Sequence, residues 1–292
     1  MAASVANCSN TSTPYTPLTD LKSDRFQGYR GGLYPHGRNW MPKFYRRIGV
    51  NRAARVEPLK QNGHPGPDGQ IVLMSVGMSN TMLEWEEFST EVDSFADLAP
   101  DLSIVQGAEI GWDAVSIADP DAAYWTDIDT TLEARGFTPK QVQVVWLKEA
   151  VAEETLAFPD DARHLRDLLD DIIAIMRDRF HNLKIVYLSS RTYGGYATST
   201  LSPEPFAYHS GFGVKWQIAH DIRTPRREHP WIAWGPYLWT NGTAGRKDGL
   251  VWTCDDVTQD DGIHASEAGQ QKVADLLMAH FTTKVTAKHW FL

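Results

Sequence analysis

Cysteine is scarce in this 292-residue sequence: Cys8 and Cys254, near opposite ends, are the only two. Neither sits in a Cys-x-x-Cys pair or beside a histidine, which argues against a thiolate metal site and a thiol catalyst. Basic residues are in deficit too. Lys and Arg number 28 against 37 Asp and Glu, and a formal charge of −9 leaves no basic stripe for a nucleic-acid backbone. Two short clusters, "RNWMPKFYRR" and "TPRREHP", are interrupted by aromatics or proline and read as solvated loops. No apolar run approaches the roughly 20 residues of a membrane span, so neither a span nor an intact secretory h-region is expected. Ten histidines are present, but none lies in His-Glu-x-x-His or another compact ligand spacing, so no metal is expected. "QGAEIG" lacks the Gly-x-Gly-x-x-Gly spacing of a dinucleotide site, and no cofactor is called for. There is no internal repeat and no sign of a second globular unit.

What is present is an ordinary globular composition, 42% hydrophobic and 22% charged, with 11 Trp and 10 Tyr. Residues 1–69 are turn-rich ("GGLYPHGRNW", "QNGHPGPDGQ") and offer a helix only near 42–58. They read as an irregular arm packed on a domain spanning 70–292. From Gln70 a rhythm begins: "IVLMSV", a helix at 80–95, "LSIVQGAEIGWDA", a helix near 121–135, and "VQVVWLKEA". The clearest helix is 160–180, where Leu165, Leu168, Leu169, Ile172, Ile173 and Met176 fall at helical spacing after Pro159–Asp160. "LKIVYLSS", a helix in "PFAYHSGFGVKWQIAHDI", the apolar "WIAWGPYLW" and a Ser-capped helix in "SEAGQQKVADLLMAHF" complete the series. Strands apolar on both faces and alternating with helices imply an α/β fold: a three-layer α/β/α sandwich on a mainly parallel, flavodoxin-like sheet. Ligands then bind beyond the carboxyl ends of the strands, which directs attention to Gly77–Asn80, Gly107–Trp112, Lys148–Ala150 and Ser189–Gly195.

The stretch "IVLMSVGMSNTMLEWEEF" passes from buried strand to helix through Gly77 and two serines. Such an elbow lifts Ser79 at the sheet's carboxyl end, with its N–H at a helix N-terminus, where developing negative charge is favoured. A serine capping a helix after a strand would look the same. Near the other end, "TQDDGIHASEAGQQ" places Asp261 and His264 three apart before the last helix. Aspartate there can orient an imidazole that takes a proton from serine, although Asp and His are also common before helices.

The combination resembles the SGNH (GDSL-type) hydrolase superfamily over roughly residues 70–282, and a group of uncharacterised secreted bacterial members of it. The likeness also rests on "LSSRTYGGYATSTLSPEPFAYHSGFGVKW" and "TAKHWFL". It implies Ser79 as nucleophile, in "GMSN" instead of Gly-Asp-Ser, with Asp261 and His264 as partners. It places the backbone oxyanion donor on Gly107, beside the N–H of Ser79. The third family block, Gly-x-Asn-Asp/Glu, reads "VVWLKEA" here and sets Lys148 in the place of the oxyanion-binding Asn. Lysine could donate there by charge-assisted hydrogen bonding, or pair instead with Glu149 or Glu109.

Asn80, Trp112, Arg191 and Tyr193 are further candidates for substrate contact. The implied activity is a secreted serine esterase acting on short acyl or acetylated-carbohydrate esters. The contrasting expectation is a degenerate, sugar-binding member of the fold. The polar start "MAASVANCSNTSTPYTPL" reads like that of a mature secreted or periplasmic protein. In that setting Cys8 and Cys254 are expected to pair, two free buried thiols being the alternative. Nothing in the sequence fixes an oligomeric state.

Overall fold

Seven consecutive residues, Ile71–Gly77, form strand β1, and every one of them is buried. The computed structural model describes residues 5–225 and 228–292, so "TPRREHP" lies partly outside the described residues. Strands β2 (Leu102–Val105), β3 (Val142–Lys148), β4 (Ile185–Ser189) and β5 (Trp231–Trp234) pair in the order β2-β1-β3-β4-β5. All four pairings are parallel, which gives the 2-1-3-4-5 order of a flavodoxin-like sheet. Burial along both edges of β1, β3, β4 and β5 follows from helices on both faces.

Helix α1 (Lys43–Ala53) belongs to the arm and packs on β5 and β4. It is shorter than the expected 42–58, because the chain turns extended ahead of Pro58, whose ring disfavours helix before it. Helices α2 (Ser79–Asp93), α3 (Ala123–Ala134), α4 (Asp160–Arg179), α5 (Phe206–Arg223) and α6 (Glu267–Thr283) follow the strands. One layer pairs α2 with α6 and the other pairs α4 with α5. Helix α4 buries Leu165, Leu169, Ile172, Ile173 and Met176, with acids in its first turn and Arg177 and Arg179 in its last, where each sign suits the helix dipole. Of "WIAWGPYLW" only Trp231–Trp234 is strand, since Gly235 and Pro236 end the ladder. Ser266 caps α6 by accepting from the Gly269 N–H.

The arm shares the core of the sheet. Leu18, Tyr34, Tyr45 and Val56 are buried in the same apolar cluster as β1 and β3. A disulfide joins Cys8 to Cys254, with Cα atoms 5.3 Å apart across 246 residues of chain. Beside it, Ala6 N–H donates to Gln259 O and Asn7 N–H to Tyr196 O. The first residues are thereby fastened along the segment that leads to Asp261.

Candidate active site

Gly77, the last residue of β1, has φ +149°, and a Cβ there would meet the Lys148 carbonyl oxygen at 2.3 Å. Only glycine lets β1 turn so close to β3. Met78 is extended and Ser79 is the first residue of α2, so the serine hydroxyl is not its cap. That hydroxyl instead lies 2.8 Å from Nε2 of His264. The Ser79 N–H is one of the first-turn donors that no helical carbonyl can reach.

His264 stands on a tight turn before α6. Its Nδ1 faces Asp261 Oδ2 at 2.5 Å. The other oxygen, Oδ1, accepts from the N–H groups of Ile263 and His264 and from Thr258 Oγ1. Burial alone would raise this carboxyl, but those N–H groups and the imidazole hold it below the usual aspartate range, as a carboxylate. Gly262 makes the turn possible: its φ is +67°, and a Cβ would strike Tyr196 O at 2.0 Å. Asn80, next to the serine, clamps the same turn from α2, donating to Ile263 O and accepting from the Ala265 N–H. Its amide is thereby tied to the histidine turn, and the residue also lines the cavity next to Ser79.

Ser79 and His264 open onto a cavity of about 550 Å³. Trp112 and Arg191 line it, as expected of candidate substrate contacts, together with Gly111, Ala150, Val151 and Ala152. Ile110, Val115 and Leu201, among the most exposed large apolar side chains of the protein, form its mouth. Sequence reading singled out the loop Gly107–Trp112 but not Gly111 or Ile110 within it, nor Val115 or Leu201. The available signal was "EIGWDAV", an apolar and glycine-containing loop at the carboxyl end of β2.

Three expected site residues are elsewhere. The Gly107 N–H donates to Ser75 Oγ at 3.1 Å, and a Cβ there would meet Ser75 O at 2.5 Å; it allows β1 and β2 to approach and does not line the cavity. Tyr193 is buried behind the site, its hydroxyl donating to Asn10 O in the arm. Lys148 neither enters the cavity nor pairs with Glu149 or Glu109. Its ammonium holds both carboxylate oxygens of Glu84 on α2, and both side chains are fully buried. Glu84 projects from α2 onto the sheet with no solvent, so a cation under it is what keeps its charge compatible with burial. Burial pulls Lys148 down to about 8 against the opposing pull of Glu84. Glu149, also buried, is pushed well above the carboxylate range by desolvation, its Oε2 accepting from the Ala150 N–H.

No protein-family model and no curated protein matches this chain. Among solved structures it is similar to the periplasmic domain of a lipopolysaccharide acetyltransferase from Salmonella ser. Paratyphi A, at 12% identity and TM-score 0.44, covering 83% of this chain and 95% of that one. It is similar to an extracellular lipase of Streptomyces rimosus at 11% identity and TM-score 0.36, over 72% of this chain and 99% of the lipase. A third is the Bacillus subtilis protein YxiM, at 13% identity and TM-score 0.41, covering 74% of this chain but only 57% of that one. The architecture is the parallel α/β/α sandwich that the sequence resemblance implies. The sheet order, the serine elbow after β1 and the Asp-x-x-His turn before α6 occur here in the positions that the sequence resemblance implies.

Proposed function

We propose that this protein is a serine esterase that works through an acyl-enzyme. The observation that carries the reading is the continuous chain from Ser79 Oγ to His264 Nε2 at 2.8 Å and from His264 Nδ1 to Asp261. Asp261 holds the imidazole with its proton on Nδ1, leaving Nε2 as the base that accepts the serine proton. Ser79 Oγ attacks the ester carbon, His264 protonates the departing alcohol, and a water activated by the same nitrogen releases the acid. The N–H of Ser79 and that of Gly111, which lines the same cavity, receive the oxyanion.

The apolar mouth of Ile110, Trp112, Val115 and Leu201 suits the acyl chain or alcohol of a carboxylic ester. The disulfide favours an oxidising compartment, in keeping with secretion or the periplasm. A panel of p-nitrophenyl esters and acetylated sugars, run with parent and Ser79→Ala proteins, tests the proposal. Turnover should vanish in Ser79→Ala; equal rates in the two proteins would reject it. Adding an acceptor alcohol to the parent separates hydrolysis from transfer.

A further inference from the structure

The cavity has one cationic side chain among its lining residues, and that cation is buried and lacks a carboxylate at contact distance. Arg191 follows β4 and is 1% exposed, yet it lines the same cavity as Ser79 and His264. Among the described residues no acid lies within ion-pair distance of its guanidinium. Nη1 rests on Met78 Sδ at 3.7 Å, and Nε has no hydrogen-bond partner. Of the carboxyl groups around it, Glu84 pairs with Lys148, Asp261 with His264, and Glu204 accepts from Gly194, Tyr208 and Trp239, while Glu149, buried at the end of β3, makes no ion-pair contact with it. Leaving a buried guanidinium without a contact anion is costly, which suits a group whose anion arrives with the reaction.

The placement says which anion. Gly77, Lys148 and Ser189 lie in one row across β1, β3 and β4. Met78 is one residue past the first and Arg191 two residues past the last, so the arginine spans the end of β3, roughly two strand spacings or about 10 Å, to touch the residue before Ser79. Beneath that span β3 exits through Glu149, whose buried Oε1 has no hydrogen-bond partner, and then through Ala150 and Val151, which line the cavity and offer no side-chain donor. The contact with Met78 Sδ holds the guanidinium against the residue that precedes Ser79. The backbone N–H of Arg191 donates to Ser210 Oγ at 3.0 Å, which holds the start of the residue. Burial lowers the Arg191 pKa, while Glu84, Glu149, Asp261 and Glu204 oppose the fall.

We propose that Arg191 is a charged donor to the oxyanion that forms when Ser79 attacks its ester. This rests on the esterase reading above. As the Ser79 Oγ–carbon bond forms, the carbonyl π pair moves onto oxygen and the serine proton passes to His264 Nε2. Arg191 shares an N–H with that oxygen and gives up no proton. When the carbonyl re-forms, the carbon–alkoxide bond breaks and His264 returns the proton to the alcohol. Because the guanidinium meets the tetrahedral anion more strongly than the planar ester, it acts on turnover and not on ground-state affinity.

The test compares parent, Arg191→Met, Arg191→Gln and Arg191→Lys, with rates expressed per folded molecule from thermal melts and a phenylboronic acid as probe of the tetrahedral adduct. Arg191→Met should lower kcat by about 10²–10³-fold with KM within about threefold, and should weaken boronic acid binding by a comparable factor. Arg191→Lys should recover part of both losses. If Arg191→Met does not fold, Arg191→Gln carries the same expectation at about tenfold or more. Parent-like kcat in the folded variants would overturn the proposal, as would a loss confined to KM for esters bearing an anionic group, which would make Arg191 a substrate anchor. A parent without Ser79-dependent turnover would instead remove the esterase reading itself, and this proposal with it.

Discussion

Lys148 shows what a single residue can do to a site without entering it. The ammonium sits on Glu84 with no exposed surface, so removing either partner leaves an uncompensated buried charge. Lys148→Met should destabilise the fold by about 3–5 kcal/mol, while the double change with Glu84→Gln should restore much of that loss. Chemical denaturation of the single and double variants checks it, and kcat per folded molecule should stay near parent. A second residue-scale expectation concerns Glu149, whose pKa burial raises. Its folded pKa lies above the unfolded one, so the folded state holds the proton longer as pH rises. Its contribution is therefore fully present below the unfolded pKa and declines as pH climbs toward the folded one. Glu149→Gln, which mimics the neutral acid, should flatten the fall in Tm as pH rises above the unfolded carboxyl range, measured by scanning calorimetry.

At the scale of elements, the site is a meeting of one helix start and one turn. Asn80 on α2 grips the His264 turn at two backbone groups, so the helix that presents the nucleophile also sets the base. Asn80→Ala should lower kcat by about 10²-fold through misplacement of His264, with KM little changed, and steady-state kinetics would register it. The elements that make this geometry were legible in the sequence. "IVLMSVGMSN" announced the strand, its glycine exit and the serine; "DGIH" before a capped helix announced the turn. The ends of β2 and β3 were not legible, for a physical reason. Backbone N–H groups have no side-chain signature, so Gly107 and Gly111 look alike until one is seen bonded to Ser75 and the other lining the cavity. Lys148 was misplaced because a strand's alternation says which face a residue takes only once the helix over that face is known. Glu84, the partner that decides it, is 64 residues away in sequence.

Across the whole molecule, the arm of residues before β1 completes the core and is tied by the disulfide next to the segment carrying Asp261. Cys8→Ser with Cys254→Ser should lower stability by up to about 5 kcal/mol in the chain-entropy account. Reduction with dithiothreitol should reproduce the fall in Tm, and thiol titration of the denatured, unreduced protein should find no free thiol. The same strands and loops that bury the arm also put an apolar mouth, a buried guanidinium and a Ser-His-Asp chain around one cavity. That convergence, more than any one residue, is the ground for reading the protein as an acyl-transferring catalyst. The most direct measurement of that claim is intact-protein and peptide mass spectrometry after exposure to a fluorophosphonate. The account predicts one covalent adduct per chain, on the peptide bearing Ser79, slowed strongly in His264→Ala and absent in Ser79→Ala. No adduct on the folded parent, or an adduct that persists undiminished in Ser79→Ala, would contradict it.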